Sequence, residues 1–241
     1  MNTRKPRFID RGFFFKMGYN RYAVVVAAGS GKRMGAPLPK QFLQLNGKPL
    51  LMHTLHRLYD FDSNLRILLV LHPDFKAYWF DRVTEHAFSV PHTVVDGGEE
   101  RFHSVKSALQ TIEDADAVVA IHDGVRPFVS NETLQRCFES AESIGTGVPV
   151  ITVNDSIREV NGFQNCAVDR SKFRIVQTPQ CFRMSLLSAA FGQEYTSAFT
   201  DDASVVESAG NSIHLVEGNR ENVKITTPED LRWAEWMTSL L

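Results

Sequence analysis

Tyr22–Lys40 reads YAVVVAAGSGKRMGAPLPK, and these nineteen positions decide the fold class. Tyr22–Ala27 is a continuous apolar, β-branched run, the pattern of a strand buried on both faces in a parallel sheet. The glycine-rich, basic loop Ala28–Lys40 leaves it. The rhythm repeats outward. Leu50–Leu58 reads as a helix and Arg66–Leu71 as a second buried strand. Asp74 is the expected cap of a helix over Phe75–His86. A short strand at His92–Val95 ends at Asp96-Gly97-Gly98. Phe102, Val105, Leu109 and Ile112 recur at helical spacing, so Arg101–Ile112 is an amphipathic helix. Ala117–Ile121 is another buried strand, Asn131–Ile144 a helix capped by Ser130 or Asn131, and Gly147–Val153 a strand. Ile213–Val216 and Val223–Ile225 read as late strands. Thr227–Leu241 reads as a closing helix with Pro228 in its first turn. Strands alternating with helices predict a three-layer α/β domain with a mostly parallel sheet.

Asn154–Gln177 breaks the rhythm. It has no long apolar run and carries Asn161-Gly162, so it reads as a β-hairpin arm leaving the core. An exposed arm of this kind needs a partner, which predicts a homodimer. Met1–Asn20 carries five basic residues and Phe13-Phe14-Phe15 but no signal-peptide pattern, and is expected to be a poorly ordered tail ahead of one domain over 21–241.

Composition sets the outer bounds. The 241 residues are 43% hydrophobic and 22% charged, a globular balance. A formal charge of −2 gives no global field for nucleic acid or anionic lipid. Three cysteines without a CxxC pair, Cys137, Cys166 and Cys181, point to reduced thiols rather than a disulfide scaffold or zinc knuckle. No apolar run approaches the ~20 residues that span a bilayer. A cytoplasmic location is expected.

In open α/β sheets ligands bind beyond the carboxyl ends of the strands. After the first strand come Ala28, Gly29, Ser30, Gly31, Lys32, Arg33 and Lys40. After the third come Gly97, Gly98 and Arg101, and after the fourth Asp123 and Arg126. Three strand ends thus converge on one crevice rich in glycine and cations. Glycines let the backbone approach a phosphate and turn N–H groups toward it. A tight βα turn with solvated lysines and arginines would read the same way. The loop matches neither GxxxxGK[ST] nor GxGxxG followed by an acidic residue about 20 positions on. Its cations suit a nucleoside triphosphate better than a dinucleotide. Asp123 serves equally as a carboxylate near a metal or ribose, or as a turn former. His122 reads as a packed strand-end histidine. No GxSxG elbow or Cys–His pair supports a covalent nucleophile.

The motifs become specific together. VVVAAGSGKRMG is followed in order by PKQF (Pro39–Phe42), VVDGGEERFHSV (Val94–Val105), IHDGVRPF (Ile121–Phe128), VDRS (Val168–Ser171), QTPQCF (Gln177–Phe182), TDDAS (Thr200–Ser204) and NVKITTPEDL (Asn222–Leu231). Over about residues 22–240 the chain closely resembles the 2-C-methyl-D-erythritol 4-phosphate cytidylyltransferase family. The resemblance implies the GT-A-like, Rossmann-type nucleotidyltransferase domain, with an arm that interlocks two subunits. It implies transfer of CMP from CTP to a phosphorylated sugar alcohol, with Mg²⁺ bound mainly through the CTP phosphates and Asp123 as the protein's candidate ligand. Arg33, Lys40, Arg170 and Lys224 would be catalytic. Ala27, Ala28, Gly29, Ser30, Gly31, Lys32, Gly97, Gly98, Arg101, Ser104 and Asp123 would hold CTP. Asp123, Arg126, Ser156, Arg170, Thr178, Thr200 and Lys224 would hold the sugar phosphate, with Arg170 acting across the dimer.

The chain departs from the family pattern in the extra tail, in Ser156 where threonine is commoner, and in Gly124-Val125. Asp123-Gly124-Val125-Arg126 also resembles the ribitol 5-phosphate cytidylyltransferases, which share the CTP half. Their first loop usually carries paired glycines, whereas this chain has Ala27-Ala28-Gly29. A catalytically silent CTP-sensing module would not need the acceptor-side pair Arg170 and Lys224.

Overall fold

The computed structural model describes residues 19–29 and 38–239. In chain order the elements are β1 (Arg21–Ala27), β2 (Gln44–Leu45), β3 (Lys48–Pro49), α1 (Leu50–Phe61), β4 (Arg66–Leu71), α2 (Lys76–Glu85), β5 (Thr93–Asp96), α3 (Arg101–Leu109), β6 (Val118–Asp123) and α4 (Asn131–Ile144). They continue with β7 (Thr146–Thr152), β8 (Arg158–Asn161), β9 (Gln164–Ala167), β10 (Arg174–Val176), β11 (Gln180–Arg183), α5 (Met184–Ala190), α6 (Asp202–Ser208), β12 (Leu215–Glu217) and α7 (Pro228–Thr238).

The parallel half of the sheet runs β6-β1-β4-β5. Successive residues of a strand face opposite sides, and the two sides have separate cores. Ala23, Val25 and Ala27 of β1 pack with Leu51, Leu55, Trp79 and Phe138 under α1, α2 and α4. Tyr22 and Val24 face Phe102, Val105, Leu187 and Val206 under α3, α5 and α6. The unbroken apolar runs Tyr22–Ala27 and Ile67–Leu71 are thus what a sheet covered on both faces requires. A third cluster joins Leu45, Leu50, Val125, Ile225 and Ala234, seating α7 beside the β2–β3 hairpin.

The other half is antiparallel where it meets β6. β11 pairs with β6 and with the start of β7, and β10 pairs with the end of β7. Val150 of β7 faces Val176 on one side and Glu217 of β12 on the other. β11, α5 and α6 lie in stretches that show no periodic signal in the sequence.

Several local expectations are corrected. Asp74 does not cap α2: the helix starts after Phe75 with no side-chain cap, and His72 instead caps the preceding 3-10 turn Pro73–Phe75, its Nδ1 accepting from Asp74 N at 3.3 Å. The end of the arm returns to the main sheet as β10. Val223–Ile225 is not a strand; within it Ile225 N reaches Val125 O at 3.0 Å without a ladder. The hairpin turn sits one residue later than expected. Asn161 pairs with Gln164, leaving Gly162-Phe163 as the loop, and Gly162 at φ +59° supplies the positive dihedral of a II′-type turn. α4 starts at the Ser130 cap, and α7 at a Thr227–Asp230 capping box with Pro228 in its first turn.

Candidate active site

The carboxyl ends of β1, β5 and β6 open onto one cavity of about 700 Å³. Register explains the convergence. Val26 of β1 lies opposite Asp123 of β6, and Leu71 of β4 opposite Asp96 of β5. The exits of these strands are therefore level. Of the residues expected from the sequence, Ala27, Ala28, Gly29, Lys40, Gly97, Gly98, Arg101, Ser104, Asp123 and Lys224 line this space. Ser30, Gly31, Lys32 and Arg33 lie outside the described residues.

The wall opposite Ala28 is a glycine turn built with no space to spare. Gly97 N donates to Leu71 O at 2.7 Å. A Cβ at Gly97 would run into Ala28 Cβ, with Leu71 O and Ser104 Oγ at 3.2 Å. Ser104, expected to hold CTP, lines the cavity, and its buried hydroxyl accepts from Gly98 N at 3.1 Å and fixes the turn. Gly97→Ala must push Ala28 into the cavity. We expect it to raise the KM for nucleotide at least tenfold and to cost about 1–3 kcal/mol of stability, read by steady-state kinetics and urea unfolding.

Charge is concentrated around Asp123. Its Oδ2 receives Arg126 Nε at 3.0 Å and Lys224 Nζ at 3.1 Å, and its Oδ1 lies 3.9 Å from Arg101 Nε. Burial alone would push this carboxyl up, but Lys224, Arg101 and Arg126 outweigh it and hold Asp123 well below the usual carboxylate range. Arg101 is gripped in two parallel hydrogen bonds, 2.7 and 2.6 Å, by the fully buried Asp202. Burial works against the Arg101 charge, and Asp202 more than restores it, raising the guanidinium above its ordinary value. Arg101 is thus held by Asp202, adds positive charge beside Asp123 and still lines the cavity.

Three residues outside the expected set hold this geometry, two through side chains and Asn222 through its main-chain carbonyl. Buried Gln41 donates through Nε2 to Ala27 O at 2.6 Å and Gly29 O at 3.1 Å, clamping the start of the glycine-rich loop. Asp202 holds Arg101, and Asn222 O accepts from Arg126 Nη1 at 2.7 Å. Each lies in a motif quoted above (PKQF, TDDAS, NVKIT), but its partner is distant in sequence.

His122 is the packed histidine its sequence context predicts. Burial lowers its pKa from 6.5 to about 4, and burial also lowers His53 and His92. The unfolded chain therefore binds these protons near pH 6.5 and the folded chain only at lower pH. Stability should fall as pH drops from about 6.5 to 4, by roughly 3 kcal/mol for His122. Urea unfolding across that window, compared with a His122→Gln variant of flatter slope, measures it.

The sequence profile described as IspD, 2-C-methyl-D-erythritol 4-phosphate cytidylyltransferase, matches residues 22–239. The chain belongs to this family. A protein of that name from Bacteroides thetaiotaomicron is 51% identical over 209 residues, covering 87% of this chain and 95% of the relative. One from Phocaeicola vulgatus is 49% identical over 216 residues, covering 90% and 98%. The crystal structure of 2-C-methyl-D-erythritol 4-phosphate cytidylyltransferase from Thermus thermophilus superposes with a TM-score of 0.73 at 32% identity, covering 92% of this chain and all (100%) of that one.

Not every expected residue of this cytidylyltransferase-family chain lies at the cavity. Ser156 and Arg170 belong to the exposed arm, where Arg170 Nη1 donates to Asn154 O. Neither lines the cavity of its own chain. Thr200 is exposed just ahead of Asp201, the α6 cap. Thr178 is 5% exposed and its hydroxyl is bonded inside the protein, so it is not a surface donor. Among the described residues no three His, Cys, Asp or Glu side chains group as a metal cage. Asp123 Oδ1, beyond hydrogen-bond distance of Arg101, fits a cation held chiefly by phosphate oxygens and water.

Proposed function

We propose that the chain transfers the cytidylyl group of CTP to 2-C-methyl-D-erythritol 4-phosphate in non-mevalonate isoprenoid biosynthesis. The observation that carries the chemistry is one cavity bounded by the Ala27–Gly29 and Gly97-Gly98 backbone, Lys40, Asp123 and Lys224, with Arg126 paired to Asp123 but not itself lining the cavity. Backbone and cations of this kind suit a triphosphate beside a second anionic substrate.

The acceptor's phosphate oxygen attacks the α-phosphorus of CTP. The new O–P bond forms as the bond to the β-phosphate oxygen breaks, and pyrophosphate leaves with the electron pair. The acceptor is already an anion, so no protein nucleophile or general base is needed, and positioning and charge neutralisation supply the rate. Lys40 and Arg33 would meet the charge on the α-phosphate. Lys224, with Arg126 held by Asp123, would receive the acceptor's phosphate, and Ser156, Thr200 and Arg170 would complete its site. Mg²⁺, held by the triphosphate and Asp123, would neutralise phosphate charge.

Arg170 serves a cavity only if the arm reaches a second copy. A homodimer agrees with the exposed apolar side chains Val160, Phe163, Phe173, Ile175 and Val176 of the arm and β10, which a lone chain leaves in water. A cytoplasmic setting agrees with the reading of the three cysteines as free thiols. No helix among the described residues is long and apolar enough to cross a membrane.

Phosphorus NMR of CTP with methylerythritol phosphate tests the reaction. A diphosphate-linked product and free pyrophosphate should appear in equal amounts, and only with both substrates present. Turnover of CTP without the acceptor, or release of inorganic phosphate, would overturn it.

A further inference from the structure

β6 ends in a corner, Asp123–Arg126, which carries the cavity carboxylate Asp123 and the guanidinium paired to it. Asp123 N donates to Thr178 Oγ at 3.1 Å, Thr178 Oγ lies 3.0 Å from His122 Nδ1, and His122 Nε2 lies 3.1 Å from Arg126 O. A carbonyl can only accept, so the imidazole proton sits on Nε2. Nδ1 is then bare and accepts the Thr178 hydroxyl proton, while the hydroxyl oxygen accepts Asp123 N–H. Each donor meets an acceptor, and the imidazole is fully buried. Asn222 extends the frame, its Nδ2 donating to Thr178 O at 2.7 Å and its main-chain carbonyl receiving Arg126 Nη1. Lys224 stands two residues beyond it.

We propose that His122 is a positioning residue for cytidylyl transfer. Its neutral Nε2–H form, bridged by Thr178, closes the Asp123–Arg126 corner so that Asp123, Arg126 and Lys224 present a fixed charge cluster. Thr178 acts in the same way, through His122 and Asp123, rather than as a ligand of the sugar phosphate. The inference rests on the transfer reaction only for its readout in turnover; the protonation pattern of the imidazole stands apart from it.

Two measurements decide it. In ¹⁵N NMR of the wild-type protein at pH 7, His122 should carry its proton on Nε2 alone. A proton on Nδ1, or a doubly protonated imidazole, overturns the proposal whatever the reaction proves to be. In kinetics, Thr178→Ser keeps the hydroxyl and should stay within about threefold of wild-type kcat. Thr178→Val should lose about tenfold, the rate equivalent of one well-placed hydrogen bond, with KM for CTP unchanged within about threefold. His122→Asn preserves the Thr178 half of the bridge and His122→Gln the Arg126 half, so each should fall similarly. Unchanged kcat in folded Thr178→Val, or equal losses in the Ser and Val variants, would refute the bridge. If the substituted proteins do not fold, the wild-type NMR result alone decides.

Discussion

Lys40→Ala should lower kcat by on the order of 10²–10³ while KM for CTP moves only a few-fold. The magnitude is that of removing one preorganised charge from a developing anion in a water-poor site. The fold should survive, because the turn Lys40–Phe42 is held by its other two residues, Gln41 and Phe42, both buried. Gln41 still clamps Ala27 O and Gly29 O after the lysine is truncated. Rapid-quench measurement of pyrophosphate release at saturating CTP separates the two parameters. A kcat near wild type would remove Lys40 from the chemistry, whereas a large rise in KM alone would make it a ground-state binder.

The second large effect is on stability. Asp202→Asn removes the nearest counter-charge of Arg101 and leaves it only the more distant Asp123, at 3.9 Å. Breaking a buried pair from one side costs roughly 3–5 kcal/mol. Arg101 keeps 31% of its side chain exposed, so the lower end, about 3 kcal/mol, is expected. For a chain of this length that is a Tm lower by roughly 6–12 °C. Because Arg101 also lines the cavity beside Asp123, turnover should fall in the same variant even at temperatures where it is fully folded. A loss under about 1 kcal/mol in urea unfolding would show that the pair is relieved by solvent and does not brace the site.

The strand ends are legible in the sequence because burial on both faces leaves an unbroken apolar run, as in Tyr22–Ala27 and Arg66–Leu71. The residues directly after such a run stand at the sheet's carboxyl edge by construction. Gly29, Gly97 and Asp123 can be assigned to one crevice on that ground alone. Lys224 needs the family resemblance, since Val223–Ile225 forms no strand. β11 escapes notice because Gln180-Cys181-Phe182-Arg183 shows neither alternation nor an apolar run. It is a strand because β6 and β7 flank it. The braces are hidden for a different reason: Arg101 and Asp202, or Gln177 and Asn219, meet across long stretches of chain that no spacing rule connects. The resemblance implies Thr178 as a ligand contact, yet its hydroxyl completes an internal network. A hydroxyl's partner depends on which way the folded chain buries it, and sequence alone does not carry that.

The most direct measurement is pyrophosphate release with Mg²⁺ and CTP, run in parallel with 2-C-methyl-D-erythritol 4-phosphate and ribitol 5-phosphate as acceptors. Release is expected with the first and none above background with the second. Release with ribitol 5-phosphate alone would keep the nucleotide half of the cavity and contradict the assignment of its acceptor. Release with neither, while CTP still binds, would contradict catalysis itself.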